Sequence, residues 1–310
     1  MAMTQSENTE VGGRAPPESG LDQVIEGRGQ SVSGFMVRRV LPSRHRRRIG
    51  PWTFLDHLGP IVLGEDQPLR VPPHPHLNLA TVTYLFSGEL VHKDSLGSRQ
   101  TIEPGAINWM NAGRGVVHSE CSPFPLTMRA RQLHGLQLWL ALPQEREESD
   151  PWFQHYSASQ LPTVPFEKGQ LRLLVGEAFG AVSPVRVDSP TLLVDVELGK
   201  GARLALPSVA ELAAYVVSGR VAFDRDVGET GRLLVFMDGA SGELRAMAPS
   251  RVVLIGGAPL DGERHMFWNF VSSSLERLEI AKAAWELGPR PGSRFPPVVD
   301  DSDEFVPLPS

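Results

Sequence analysis

Two stretches decide how this chain reads: Pro73-His-Pro-His76, which leads through Leu-Asn-Leu-Ala80 into Thr81-Val-Thr-Tyr-Leu-Phe86, and His118-Ser-Glu120 further along. Thr81 to Phe86 is β-branched and aromatic and has the length of one strand. In an extended segment residues i and i+2 share a face, so His74 and His76 present two imidazoles to one point. His118 and Glu120 repeat that spacing. A neighbouring strand would bring a third imidazole and a carboxylate to the same place. Three nitrogens and one oxygen leave two open positions on an octahedral ion, which suits Fe(II), Mn(II), Ni(II) or Cu(II) better than a closed structural zinc. An isolated His-x-His is a weak signal; its conjunction with His-x-Glu is what points to a metal.

Outward from these motifs the chain is a series of short apolar runs separated by turns: Phe35 to Val40, Trp52 to Leu55, Gly88 to His92, Ala106 to Met110 and Gly135 to Leu142. A polar connector, Pro143 to Pro165, precedes a second series: Leu171 to Val175, Thr191 to Leu198, Ala214 to Val217, Arg220 to Phe223, Leu233 to Met237 and Arg251 to Ile255. With 30 glycines and 27 prolines among 310 residues, the pattern predicts an all-β chain of two tandem barrels or sandwiches. Leu275, Leu278, Ala281 and Trp285 then recur at helical spacing, with Ser273 or Ser274 as N-cap and Gly288 past the end, so one amphipathic helix is expected. The proline-rich end still carries Phe295, Val298, Val299, Phe305, Val306 and Leu308, which predicts a segment that wraps along the body. Residues 1–30, rich in Glu, Gly, Pro and Ser, are expected to be a disordered arm, residues 31–165 the metal-binding half and residues 166–310 the metal-free half with its helix and tail.

Charge and composition narrow the function. The net charge is −6, with five acids against two arginines in residues 1–30 and four against two in residues 289–310, leaving the middle nearly neutral. A broad nucleic-acid surface is therefore not expected. The basic cluster Arg38, Arg39, Arg44, Arg46, Arg47 and Arg48 reads first as a solvated face or as partners for the acidic arm. One cysteine, Cys121, excludes an intramolecular disulfide, and neither a membrane-length apolar run nor a secretory leader is evident, so the expected location is the cytoplasm, with the nucleus added in a eukaryote.

Cys121 has the opposite parity to His118 and Glu120 and should point away from their metal as an inert thiol. His92 could face the barrel interior or sit at a turn, while His45, His57, His134, His155 and His265 stand singly and read as structural. Gly113-Arg-Gly115 lacks the strand and helix of a phosphate cradle, and no serine or cysteine triad is evident.

At these motifs the chain resembles the pirin family of bicupins. The resemblance runs through Trp52-Thr-Phe-Leu-Asp-His-Leu-Gly-Pro60, Pro73-His-Pro-His76, Thr81-Val-Thr-Tyr84, His92-Lys-Asp-Ser-Leu-Gly97, Pro104-Gly105, Trp109-Met-Asn-Ala-Gly-Arg-Gly-Val-Val-His-Ser-Glu120 and Gly135-Leu-Gln-Leu-Trp139. It continues more weakly at Val253-Leu-Ile-Gly-Gly-Ala-Pro-Leu260 and Glu304-Phe-Val-Pro-Leu-Pro309. It implies two stacked cupin barrels of jelly-roll type with a short C-terminal helix, and one metal in the N-terminal barrel. By motif position the ligands are His74, His76, His118 and Glu120. The metal is expected to be Fe(II), with Mn, Ni, Co or Cu as alternatives, and the C-terminal barrel, with His265 and no His-x-His, to be metal-free.

Where the family reads Arg-Gly-Phe-Glu-Thr after the histidines, this chain has Leu77-Asn-Leu-Ala-Thr81, which predicts a more apolar metal pocket. The resemblance implies a quercetin 2,3-dioxygenase acting on a flavonol, with Glu120 as ligand and proton acceptor. The alternatives are a redox-dependent protein that binds a transcription factor or metabolic enzyme, with Arg38 to Arg48 as the contact, or a cupin that holds metal without turnover.

Overall fold

Strand Leu79–Ser87 shows how the pattern becomes a fold. Its even-numbered residues, Ala80, Val82 and Tyr84, pack into a large core shared by both halves of the chain, while Thr81 and Thr83 point the other way, into the N-terminal barrel. A strand with a partner on each face reads as a nearly continuous apolar run, which is why simple alternation is muted here.

The computed structural model describes residues 20–32, 34–64, 68–123, 132–302 and 304–309. Each half closes a seven-stranded antiparallel sheet over a four-stranded one. In the N-terminal barrel the large sheet runs Trp152–Tyr156, Ile107–Asn111, Leu79–Ser87, Gln132–Ala141, Trp52–Val62, Phe35–Leu41, Arg28–Val32, and the small one Arg70–His76, Val116–Cys121, Leu90–Asp94, Arg99–Ile102. In the C-terminal barrel the large sheet runs Leu21–Glu26, Arg232–Phe236, Glu211–Ser218, Ser250–Gly257, Thr191–Leu198, Gly169–Val175, Thr163–Phe166, and the small one Arg203–Ala205, Glu243–Ala246, Arg220–Phe223, Asp226–Glu229. The two orders correspond strand for strand, a repeat in topology that no residue-level match reveals.

The expected disordered arm needs correction over the part that is described. Leu21–Glu26 pairs with Arg232–Phe236 of the C-terminal barrel, and Arg28–Val32 pairs with Phe35–Leu41 of the N-terminal one. Ile25 is buried while Asp22, Val24 and Glu26 face outward. The alternation was diluted by the polar residues around it, and the partner strand supplies the backbone hydrogen bonds that composition cannot foretell. Residues 1–19 lie outside the described residues.

The connector is likewise partly strand: Trp152–Tyr156 belongs to the first barrel and Thr163–Phe166 to the second, so the halves meet between them.

The chain ends on the half opposite to the one expected. Helix Leu275–Glu286, capped by the Ser274 hydroxyl accepting from the Arg277 amide, buries Leu278, Ala281 and Trp285 against Leu77 and Val117 of the N-terminal barrel. Leu275, counted in the apolar stripe, is instead 60% exposed. Phe295 and Val298 are buried in the same cluster, and the Val306 amide donates to the Pro73 carbonyl at 2.9 Å, covering the edge strand that carries His74 and His76.

Fully buried Glu147 anchors this cover, accepting from the Ser273 amide at 2.8 Å, the Ser272 and Ser273 hydroxyls and the Arg277 guanidinium at 2.6 Å, and forming an ion pair with Arg264 at 2.9 Å. No helix among the described residues is long and apolar enough to cross a membrane.

Candidate metal centre

Strands Arg70–His76 and Val116–Cys121 are antiparallel neighbours in which His118 lies directly opposite His74. The prolines beside the histidines are tolerated because Arg70–His76 is the edge of its sheet, where a missing amide donor leaves no strand partner unsatisfied. The register shifts between His118 and Glu120, and on the other side Glu120 faces His92 and His118 faces Asp94 of Leu90–Asp94. The loop that delivers His118 turns at Gly113, whose φ of +44° and close approach to the Ser149 carbonyl leave no room for a Cβ. Asn78, where the family has glycine, takes φ +56° and ties down with side-chain donation to the carbonyls of Gly113 at 3.1 Å and Glu147 at 2.5 Å.

His74, His76 and His118 are buried and converge, with ring centroids 4.3 to 5.1 Å apart and the Nε2 atoms of His76 and His118 at 3.1 Å. Nitrogens of these three lie within 4.8 Å of one another, so the cluster can hold a metal ion. A second group within the same span joins His118 to His92 and Glu120, so the expected carboxylate adjoins His118 but does not fall in one group with His74 and His76.

Burial pushes the His74 ring down to about 4, and burial and neighbouring imidazoles hold His76 and His118 well below the usual histidine range. Neutral rings offer lone pairs. The Pro72 carbonyl, which can only accept, takes the His74 Nδ1 proton at 2.8 Å and leaves Nε2 free to ligate. This donor set of neutral imidazoles and a carboxylate fits a divalent transition metal. Burial raises the Glu120 carboxyl, which meets the Thr83 hydroxyl at 3.0 Å; that hydroxyl is also 2.9 Å from Gln137 Oε1.

The cluster floors a cavity of about 570 Å³. One wall is Phe54 stacked on Trp139, centroids 3.8 Å apart and nearly parallel, with Trp139 edge-on to His76 at 5.1 Å. Arg39 lies over Phe54 at 4.5 Å and pairs with Asp56 through two bonds of 2.7 and 2.9 Å. Sequence reasoning missed Phe54, Thr83, Gln137 and Trp139. The lumen-facing parity set by Thr81 and Thr83 was the available signal, but which face meets the lumen is a tertiary fact. His92, left open between lumen and turn, faces inward at 3% exposure; its spacing to Asp94 repeats the i, i+2 pattern of the other two motifs.

Other expectations resolve differently. Leu77 packs on the C-terminal helix cluster and Ala80 in the core between barrels, so neither lines the cavity and the Leu-Asn-Leu-Ala sequence does not set its polarity. Cys121 is half-buried, its thiol raised chiefly by burial. Half of the arginine cluster is ion-paired: Arg46 with Asp22, Arg48 with Glu211 at 2.9 Å and Arg39 with Asp56. His57 and His134 meet in the seam between barrels. His265 lies in His265–Phe267 on the cover of the N-terminal barrel, where its neighbour Met266 packs on the cluster of Phe54 and Trp139. At the strand pair equivalent to that of His74 and His118, the C-terminal barrel sets Leu204 opposite Leu244, both buried in its core.

Two antiparallel barrels with this strand order, one with imidazoles converging inside it, define a bicupin. The pirin family matches residues 34–140 and the pirin C-terminal cupin domain matches residues 193–290. The chain belongs to the pirin family. It is 44% identical to a pirin-like protein of Caulobacter vibrioides over 93% of this chain and 99% of the other. It is 36% identical to a Pseudomonas aeruginosa protein provisionally named quercetin 2,3-dioxygenase, over 86% of this chain and 84% of that one. A crystal structure of quercetin 2,3-dioxygenase from Acinetobacter baumannii superposes with a TM-score of 0.85 at 33% identity, covering 93% of this chain and 95% of the other.

Proposed function

We propose that this chain is a mononuclear metal-dependent dioxygenase acting on a flavonol, with His74, His76, His118 and Glu120 as ligands. The observation that carries the reading is three neutral imidazoles at the floor of a cavity walled by the Phe54–Trp139 stack. The activity named for relatives of 33% and 36% identity supports it. A divalent iron bound there, or manganese, nickel, cobalt or copper in its place, supplies a Lewis acid and open positions for substrate oxygens and dioxygen.

The chain's own residues do the rest. Phe54 and Trp139 offer a flat aromatic face to a planar substrate, and the edge contact of Trp139 with His76 sets that face beside the ligands. Glu120 accepts the proton of the flavonol hydroxyl at a carboxylate oxygen; its raised affinity for protons suits that task. Thr83 has one hydroxyl proton for two acceptors. With Glu120 ionised the hydroxyl donates to it; once Glu120 holds a proton, Thr83 accepts from Glu120 and donates to Gln137.

The test is aerobic incubation of metal-loaded protein with quercetin, following loss of flavonol absorbance and release of carbon monoxide, with His118→Ala as control. Turnover in wild type that is lost in the control is the expected result; no turnover with any of the five metals overturns the proposal. A regulatory contact through Arg38 to Arg48 has less support, since ion pairs within the chain already engage Arg39, Arg46 and Arg48.

A further inference from the structure

Behind the candidate ligand His118 stands a second buried imidazole whose own far side meets a buried carboxylate. His92 Nδ1 is 3.3 Å from His118 Nδ1, and His92 Nε2 is 3.0 Å from Asp94 Oδ2. All three residues are at most 3% exposed, and the His92 ring is stacked on Phe153 at 4.6 Å. Asp94 is held in turn: its Oδ1 accepts from the amides of Leu96 and Ser98, each at 2.9 Å.

We infer that His92 and Asp94 are positioning residues that fix which nitrogen of His118 carries its proton, and so turn the His118 Nε2 lone pair toward the metal. The inference rests on the metal-site reading of the cluster, not on the flavonol reaction. With one proton on each ring, the direction of every bond in the relay follows. The Asp94 carboxylate only accepts, so His92 Nε2 carries a proton. A ring with one proton then has a bare Nδ1, which accepts. The facing His118 Nδ1 therefore donates, and its Nε2 keeps its lone pair on the side of His76, whose Nε2 lies 3.1 Å away and shares a hydrogen bond with it until a metal takes that place. His74 reaches the same state by a simpler route through the Pro72 carbonyl.

Asparagine at position 94 tests this because the surroundings dictate its orientation. The two backbone amides keep the amide oxygen where Oδ1 now lies, so the NH₂ group must face His92. A donor there reverses every bond in the relay: His92 Nε2 accepts, His92 Nδ1 donates, His118 Nδ1 accepts, and the proton moves to His118 Nε2, blocking the ligating atom.

The experiment has two readouts that need no turnover. In metal-free protein, imidazole nitrogen NMR should show His118 protonated at Nδ1 in wild type and at Nε2 in Asp94→Asn. In a titration with Ni(II) against a chromophoric chelator, Asp94→Asn should bind roughly 10- to 100-fold more weakly than wild type, the range typical of ligand-orienting partners. His92→Phe should abolish the effect, so that Asp94→Asn adds no further loss in that background. A wild-type His118 protonated at Nε2, a doubly protonated His92, unchanged affinity in Asp94→Asn, or a full Asp94→Asn loss persisting in His92→Phe would each overturn the inference. A protein that passes these tests yet leaves quercetin untouched refutes the dioxygenase reading alone.

Discussion

His57 of the N-terminal barrel and His134 face each other Nε2 to Nε2 at 2.7 Å in the seam between the two barrels. The other nitrogen of His57 is 2.7 Å from the Tyr215 hydroxyl of the C-terminal barrel. Burial pushes Tyr215 up to about 12, so it remains a hydroxyl, and Arg38 donates to it. Tyr215 therefore donates to His57, which donates to His134, and the pair needs one proton per ring.

The seam should consequently weaken in acid. Burial and the neighbouring His134 and Arg38 charges lower His57 from 6.5 to about 3, and His134 moves the same way. Below pH 6.5 the unfolded chain takes up protons that the folded seam refuses, so stability is complete above that value and falls as pH drops toward 3. Thermal melts of metal-free protein between pH 7.5 and 4.5 should show a falling midpoint. His57→Phe should start from a lower midpoint but follow a shallower profile, and parallel profiles would refute the assignment.

A second seam contact ends on an ion pair of the C-terminal barrel. Asp195 of the C-terminal barrel accepts from the Tyr84 hydroxyl at 2.6 Å and takes two bonds from Arg251, at 2.5 and 2.8 Å. Asp195→Ala removes both short bonds of the Arg251 guanidinium, leaving it Glu197 at 3.4 Å, and should cost about 3 kcal/mol in urea unfolding. Tyr84→Phe removes one bond to a charged acceptor and should cost about 1.5–3 kcal/mol.

Glu147 presents the same logic at the other end of the molecule. Glu147→Ala leaves Arg264, only 3% exposed at its side chain, without its buried counter-charge, and should destabilise by about 3–5 kcal/mol. Because the helix and tail hang on this carboxylate through Ser273 and Arg277, limited proteolysis of the variant should cut first near residues 287–300. Cleavage spread evenly along the chain would contradict that anchoring role.

Metal binding should be visible as stability. An ion that binds only the native state at one hundred times its Kd adds about 2.7 kcal/mol, so Ni(II) or Fe(II) should raise the melting temperature and chelation should reverse it. His118→Ala should melt at the same temperature with and without metal, whatever its starting value.

Much of this was legible in one dimension. His74-x-His76 and His118-x-Glu120 are local, because the pleat makes i and i+2 share a face whatever the rest of the chain does. The helix announced itself by Leu278, Ala281 and Trp285. Strand Leu21–Glu26 did not, since its stability comes from pairing with residues more than two hundred positions away. Leu275 was misassigned because spacing identifies a stripe and cannot say where its neighbour ends.

By itself, then, the sequence determined an all-β chain of two barrels with a histidine–carboxylate cluster in the first, since strand period and ligand spacing are short-range properties of the backbone. Only the tertiary structure decided that the first described strand completes the second barrel while the helix and tail cover the first, that Phe54 and Trp139 wall the cavity above the histidines, and that His92 and Asp94 stand behind His118. Those are contacts between segments distant along the chain, selected by which faces remain to be buried once the sheets have closed, and no local pattern encodes that choice.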